Sequence, residues 1–296
     1  MLKKNYYILF NFSGAGSKLL QAQLGNSESL FTLPAYPLIY FPFLFNKWKK
    51  NKQNLKPSEM FKLIEKHHAS IFDTRNIKGF NGLSNLGKNQ KGFIKIPKKK
   101  FKNFFINFFD KNKISQKKII EAIHESYKFA TNDKKKNILY HVHGIDIFKD
   151  YLLKDFVNEK KLATIRHPTF NFWRRAYADD KIDQDRFDQS DYENLKNYRY
   201  INRLRDLYIQ FDSLNIFFQK NFKLIRFEDL KLNNFQTLKK ISKYLNIKFD
   251  YKKMHDPSFN NKKWFGSKIY KGHNKKKNFI NKNFNSKKDL DQFFNY

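Results

Sequence analysis

Apolar residues along this chain come in short runs separated by polar, lysine-rich stretches, and the runs are of two kinds. The first kind is continuous. Residues 5–12 (NYYILFNF), 137–142 (NILYHV), 162–165 (LATI) and 223–226 (KLIR) are each bounded by a polar or glycine-containing loop, which predicts four strands. The second kind has helical spacing. It covers Lys18 to Leu24, a segment through Met60, Phe61 and Ile64 to about His67 with Ser58 as its cap, and a helix opened by Ser115 that carries Ile119, Ile120, Ile123 and Tyr127. It continues from about Ile147 to Val157. Ser190-Asp191-Tyr192-Glu193 is a capping-box pattern ahead of Leu195, Tyr198, Ile201, Leu204 and Tyr208. Phe235, Leu238, Ile241 and Leu245 mark one face of a last helix.

Strands that alternate with helices imply an α/β fold of three layers, α/β/α, around a central parallel sheet, with ligands gathered at the carboxyl ends of the strands. The chemically unusual loops fall at those ends. Prolines 34, 37 and 42 break up an aromatic stretch. Residues 73–100, with glycines 79, 82, 87 and 92, read as a loop insertion of the kind that serves as a lid or binding loop. Residues 271–296 form a basic Lys/Asn-rich tail, and residues 1–296 are expected to make a single domain with these additions.

Composition adds limits. Thirty-four Phe, sixteen Tyr and three Trp supply enough apolar area for a folded core despite the many Lys and Asn residues. The absence of cysteine excludes disulfides and thiolate metal sites. Tyr6 to Phe10 is too short for a signal-peptide core, and lysines interrupt every longer aromatic run before the roughly 20 apolar residues of a membrane span. A cytoplasmic location is the expectation. A formal charge of +33 favours an anionic ligand, but the lysines are dispersed over the whole chain, so no specific nucleic acid is expected.

The loop Ser13-Gly14-Ala15-Gly16-Ser17-Lys18 has the parts of a phosphate cradle: small residues that let backbone N–H groups face an anion, a helix N-terminus behind them, and one lysine. It is P-loop-like without being a Walker A motif. Gly-Ser-Lys replaces the Gly-Lys-Ser/Thr order that puts a hydroxyl on magnesium, and position 19 is Leu.

Three segments together resemble the sulfotransferase family that uses 3′-phosphoadenosine-5′-phosphosulfate. Phe12-Ser-Gly-Ala-Gly-Ser-Lys-Leu-Leu20 followed by Leu24-Gly-Asn-Ser-Glu28 is similar to the family's opening loop and helix, although the family's loop cation falls on Gly14 here and Lys18 comes later. Ala163-Thr-Ile-Arg-His-Pro168 is similar to the strand whose arginine holds the donor's 3′-phosphate, and Leu224-Ile-Arg-Phe-Glu-Asp-Leu230 to a later strand and helix start. The resemblance implies a sulfuryl transfer to an acceptor hydroxyl or amine, on a carbohydrate or another acceptor, with no metal required.

It also implies roles. Gly14, Ala15, Gly16, Ser17 and Lys18 would surround the 5′-phosphosulfate, and Arg166 the 3′-phosphate, where a planar guanidinium binds two oxygens at once. Arg174 stands where the family has a serine. Lys263 and Gly266 match a late basic loop over the 3′-phosphate. His143, at a strand end twenty-three residues ahead of Arg166 (143 to 166), is the candidate base, with Lys18 as the catalytic cation; His141, on the same strand face, is the rival. Glu228 and Asp229 suit a helix start, and His67, His68, Asp73 and Arg75 read as solvated or loop-stabilising residues.

Three alternatives stay open. A P-loop kinase or NTPase shares the sheet and loop but needs Mg²⁺ and a Walker hydroxyl. A nucleic-acid-binding module predicts lysines clustered on one face and steep salt dependence. A sulfotransferase fold without activity would account for Gly14 and Arg174.

Overall fold

The computed structural model describes residues 4–11, 14–34, 56–76, 85–143, 154–168 and 222–266, together with residues 38, 41, 45, 49, 50, 83, 171 and 208. The chain divides into two units, Met1–Phe265 and Gly266–Tyr296. Gly266 is the one described residue of the second. Arg174, most of the predicted 147–157 helix, the capping box at Ser190 with nearly all of the helix behind it, and the 271–296 tail lie outside the described residues.

In chain order the elements are β1 (Tyr6–Asn11), α1 (Ser17–Leu24), β2 (Leu30–Thr32), α2 (Pro57–His67), α3 (Lys98–Phe108), α4 (Gln116–Thr131), β3 (Asn137–His143), β4 (Lys160–Ile165), β5 (Lys223–Arg226), α5 (Phe227–Leu232), α6 (Asn234–Leu245), α7 (Tyr251–Met254), β6 (Ser258–Phe259) and β7 (Lys262–Lys263). The first five strands form one sheet in the order β2-β3-β1-β4-β5, every pairing parallel. The α/β reading of the sequence is correct.

Alternation along β1 builds the two cores. Ile8 and Phe10 join Met60, Phe61 and Ile64 of α2, Phe101 and Phe105 of α3, and Ile119, Ile120 and Ile123 of α4. Tyr7 and Leu9 face the other way, onto Leu20 and Leu24 of α1 and Leu238, Ile241 and Leu245 of α6. The Tyr7 hydroxyl donates to the Leu245 carbonyl at 2.6 Å, so its polar end is satisfied where the ring is buried.

The caps follow local chemistry, with one correction. Ser115 Oγ accepts from the Lys118 N–H at 3.2 Å, as its position predicts, and α4 ends on Asn132 in the left-handed region. At α2 the predicted cap, Ser58, instead lies inside the first turn. Pro57 takes the first helical position, which suits its fixed φ and missing N–H, and the Glu59 carboxylate accepts from the Lys56 N–H at 3.2 Å.

The described part of the predicted 73–100 insertion is pinned. Thr74 and Ile94 exchange hydrogen bonds, Leu86 bridges both Gly92 and Trp264, and the Gly87 N–H donates to the Lys263 carbonyl. Arg75 pairs with Asp73 and covers the Phe93 ring, a loop-stabilising pair as the sequence suggests. The last three residues of the segment, Lys98 to Lys100, belong to α3. β6 and β7 form a hairpin whose turn residues, Asn260 and Asn261, both have positive φ, the form that asparagine tolerates and that matches strand twist.

Burial also sets a pH response. His124, on α4, is 1% exposed, its Nδ1 lies 2.7 Å from the Ile120 carbonyl, and its ring meets Phe31 and Tyr140 edge-on. Desolvation lowers its pKa from 6.5 to about 4. The unfolded chain therefore takes up a proton below pH 6.5 that the folded chain refuses. The stabilising difference is fully present above pH 6.5 and is lost as pH falls towards 4, by about 1.4 kcal/mol per pH unit at most. Urea midpoints of wild type and His124→Phe, followed from pH 7 to 4.5, should show wild type losing stability relative to the variant as the pH falls; parallel curves would exclude His124 as the cause.

Candidate functional site

In the strand order β2-β3-β1-β4-β5, the chain leaves β1 towards the β3/β2 side and leaves β4 towards β5. Neighbouring strands whose connections diverge open a crevice at their carboxyl ends, and here the pair is β1 and β4. The loop after β1 is the glycine loop. The loop after β4 begins with Arg166.

The glycine loop is shaped by two left-handed residues, Gly14 at φ 84° and Gly16 at φ 81°, a region that costs any other L-residue energy. Gly16 is also the N-cap of α1; its carbonyl accepts from Leu19 and Leu20, and no side chain caps the helix. Ala15 and Ser17 are buried, which leaves small side chains packed inward. No acidic residue occupies the first turn of α1, so the positive end of the helix dipole is not offset there. Lys18 is half-buried, and desolvation lowers its ammonium pKa from 10.5 to about 8.

Arg166 comes to this loop from the next strand. Its Nη1 donates to the Gly14 carbonyl at 3.5 Å, a long bond, and its guanidinium stacks 4.9 Å above the Phe227 ring. Phe227 opens α5 directly after β5. The same ring fills the space beside Gly16, where a Cβ would lie 2.1 Å from Phe227 Cδ2. The following residue, Glu228, accepts the His167 N–H on Oε1 at 3.1 Å. The Asn171 N–H donates to the His167 carbonyl at 2.9 Å. Gly14, Gly16, Arg166, Phe227 and Glu228 thus form one cluster across three strand ends.

The other predicted residues fall in different places. His143 ends β3, and the register puts it opposite Asn11, just ahead of the glycine loop. His141 is buried, with Nδ1 2.9 Å from Gln21 Oε1. Gln21 Nε2 donates to Thr32 Oγ1 and to the Leu33 carbonyl, both at 2.7 Å, so its Oε1 is an acceptor and His141 is protonated on Nδ1. His141 is thereby tied into the core between β3, α1 and β2.

Lys263 is not brought to the glycine loop. Its Nζ pairs with Asp256 at 3.3 Å, and the Asp256 carbonyl accepts from Asn26, just past the end of α1 opposite the loop. Gly266 has φ 91°. Among the described residues, no group of three or more His, Asp or Glu side chains is placed to hold a metal ion, and no helix is long and apolar enough to cross a membrane.

Phe227 and Glu228 belong to the cluster although the sequence offers only a helix-start role for the acid. A strand run stopped by Arg-Phe-Glu-Asp puts an aromatic and an acid at a carboxyl strand end, and that is the signal for them.

No family model matches the chain, and no curated protein matches it by sequence. Among solved structures, it is similar to a sulfotransferase domain from the Synechococcus PCC 7002 olefin synthase, with 14% identity, a TM-score of 0.47, and coverage of 92% of this chain and 82% of that one. A sulfotransferase domain from the curacin biosynthetic pathway has 15% identity, the same TM-score of 0.47, and coverage of 91% and 82%. A sulfotransferase from Mycobacterium avium has 8% identity, a TM-score of 0.42, and coverage of 85% and 66%.

Proposed function

We propose that the protein is a sulfotransferase that binds 3′-phosphoadenosine-5′-phosphosulfate in the crevice between β1 and β4 and passes its sulfuryl group to an acceptor hydroxyl or amine. The observation that carries this is the meeting of the glycine loop and Arg166 at that crevice, 3.5 Å apart from Nη1 to the Gly14 carbonyl. A helix start without an acid, a half-buried lysine and a guanidinium held on an aromatic ring make a site for an anion with more than one charged group. The backbone amides of residues 14 to 18 and Lys18 hold the 5′-phosphosulfate, while Arg166 holds the 3′-phosphate.

In the reaction the acceptor oxygen or nitrogen attacks sulfur in line, and the bond from sulfur to the 5′-phosphate oxygen breaks. The acceptor's proton passes to His143, and adenosine 3′,5′-bisphosphate leaves. Catalysis is then positioning together with stabilisation of the charge that moves onto the leaving phosphate.

Calorimetric titration with adenosine 3′,5′-bisphosphate tests the site. Binding is expected without added metal, with a raised melting temperature. Arg166→Ala should weaken it by about 1.5–3 kcal/mol, the scale of a charge-assisted hydrogen bond. Because an anion favours the charged form of Lys18, affinity should also fall as pH rises through about 8. Stabilisation by ATP with Mg²⁺ but not by the bisphosphate would transfer the site to a nucleotide kinase or NTPase.

A further inference from the structure

We infer that Glu228 is a positioning residue for the anion site: its carboxylate holds the Arg166-His167-Pro168 turn so that the Arg166 guanidinium stays over Phe227 and beside the glycine loop. This rests on the reading of that loop as an anion site. An acid at the first turn of α5 has a sufficient local explanation in the helix dipole. The geometry gives it a further task. Glu228 Oε1 accepts the backbone N–H of His167 at 3.1 Å, across a gap of 61 residues, so it links the start of α5 to the residue next to Arg166.

A carboxylate near an anion site opposes the ligand's charge, and the hydrogen bond to His167 gives Glu228 a role that offsets this cost. The second oxygen, Oε2, is buried and has no hydrogen-bond partner among the described residues, so the function of the group is concentrated in Oε1. The adjacent ring supplies the other half of the device. Phe227 supports the guanidinium from below at 4.9 Å, and Glu228 fixes the main chain from which that side chain springs. One dipeptide at the end of β5 therefore orients a cation carried by β4 against a loop carried by β1. Glu228 acts through Arg166 and is not itself a ligand contact.

The hydrogen bond and the charge make different predictions. Glu228→Gln keeps an acceptor oxygen for the His167 N–H and removes the negative charge. Glu228→Met keeps the length and removes the acceptor. Two measurements on the full chain separate the roles: amide exchange of His167 by NMR without ligand, and calorimetric affinity for adenosine 3′,5′-bisphosphate.

Glu228→Met should exchange the His167 amide about ten-fold faster and bind the bisphosphate about ten-fold more weakly, the scale of one hydrogen bond. Glu228→Gln should match wild type in exchange and bind as tightly or more tightly. A Glu228→Met protein with wild-type exchange would overturn the inference, as would a Glu228→Gln protein as impaired as the Met variant, because the charge would then be what matters. If wild type itself fails to bind the bisphosphate, the proposed donor site falls, while the exchange measurement still decides whether Glu228 holds the turn.

Discussion

Replacing Gly16 by alanine is expected to destabilise the protein by about 2–4 kcal/mol and to abolish measurable binding of adenosine 3′,5′-bisphosphate, from two separate physical causes. The backbone at Gly16 sits at φ 81°, which costs an L-residue about 1–2 kcal/mol. The new Cβ would also stand 2.1 Å from Phe227 Cδ2 and 2.6 Å from Cε2, well inside van der Waals contact. The ring cannot yield without disturbing Arg166, which stacks on it. Relief of the clash therefore displaces either the loop or the guanidinium, and both belong to the proposed anion site. A double-mutant cycle divides the causes, since Phe227→Ala removes the clash and leaves the backbone term. Urea denaturation of the four proteins should show Gly16→Ala costing about 1–3 kcal/mol less in the Phe227→Ala background. Strict additivity would mean that the ring and the glycine are not in contact in solution.

The parts of the fold that were legible in the sequence are those whose signal is local. β1, β3, β4 and β5 are apolar runs that end where the chain must turn, and α4 announces itself by Ser115 and its isoleucine stripe. β2 is three residues long, too short to show an alternating pattern. α3 was hidden for a different reason. Lys98, Lys99 and Lys100 crowd the positive end of its dipole, and its N-cap, Pro97, offers no side-chain bond, so local preference opposes a helix there. Tertiary packing decides otherwise: Phe101 and Phe105, one turn apart, stack on each other and pack at a tilt against Phe61, and burial of each ring is worth about 1.5–3 kcal/mol. In the candidate site, the glycine loop and Arg166 could be read as strand-end residues, but their approach depends on β4 lying beside β1, which no local pattern states. The fit of Phe227 beside Gly16 and the grip of Glu228 on His167 are likewise long-range: the Arg-Phe-Glu-Asp stop after β5 marks both residues as lying at a strand end, but not the partners they meet there.

His143→Ala is expected to lower turnover by about 10²–10⁴-fold, the usual contribution of a positioned general base, while donor affinity stays near that of wild type. The strand itself provides the control. His141 lies two residues earlier, and its Nδ1–H is committed to Gln21 in a buried link to β2. Its removal leaves the Gln21 oxygen buried without that donor, so His141→Ala should cost about 1–3 kcal/mol of stability. In the folded protein its turnover should change little. One histidine then reads out in rate and the other in stability. His143 is set for the first role by its place: it ends β3 at the carboxyl edge of the sheet, opposite Asn11, beside the loop that would present the sulfuryl group. If the donor occupies the crevice between β1 and β4 as proposed, a proton acceptor there would meet an acceptor hydroxyl or amine entering from the β3 side. With labelled donor and an acceptor found by screening glycans and phenols, single-turnover rates of the two variants decide the matter. A His143→Ala enzyme that turns over at the wild-type rate, or a folded His141→Ala enzyme that shows the larger rate loss, would move the base away from His143 and leave the anion site at Arg166 untouched.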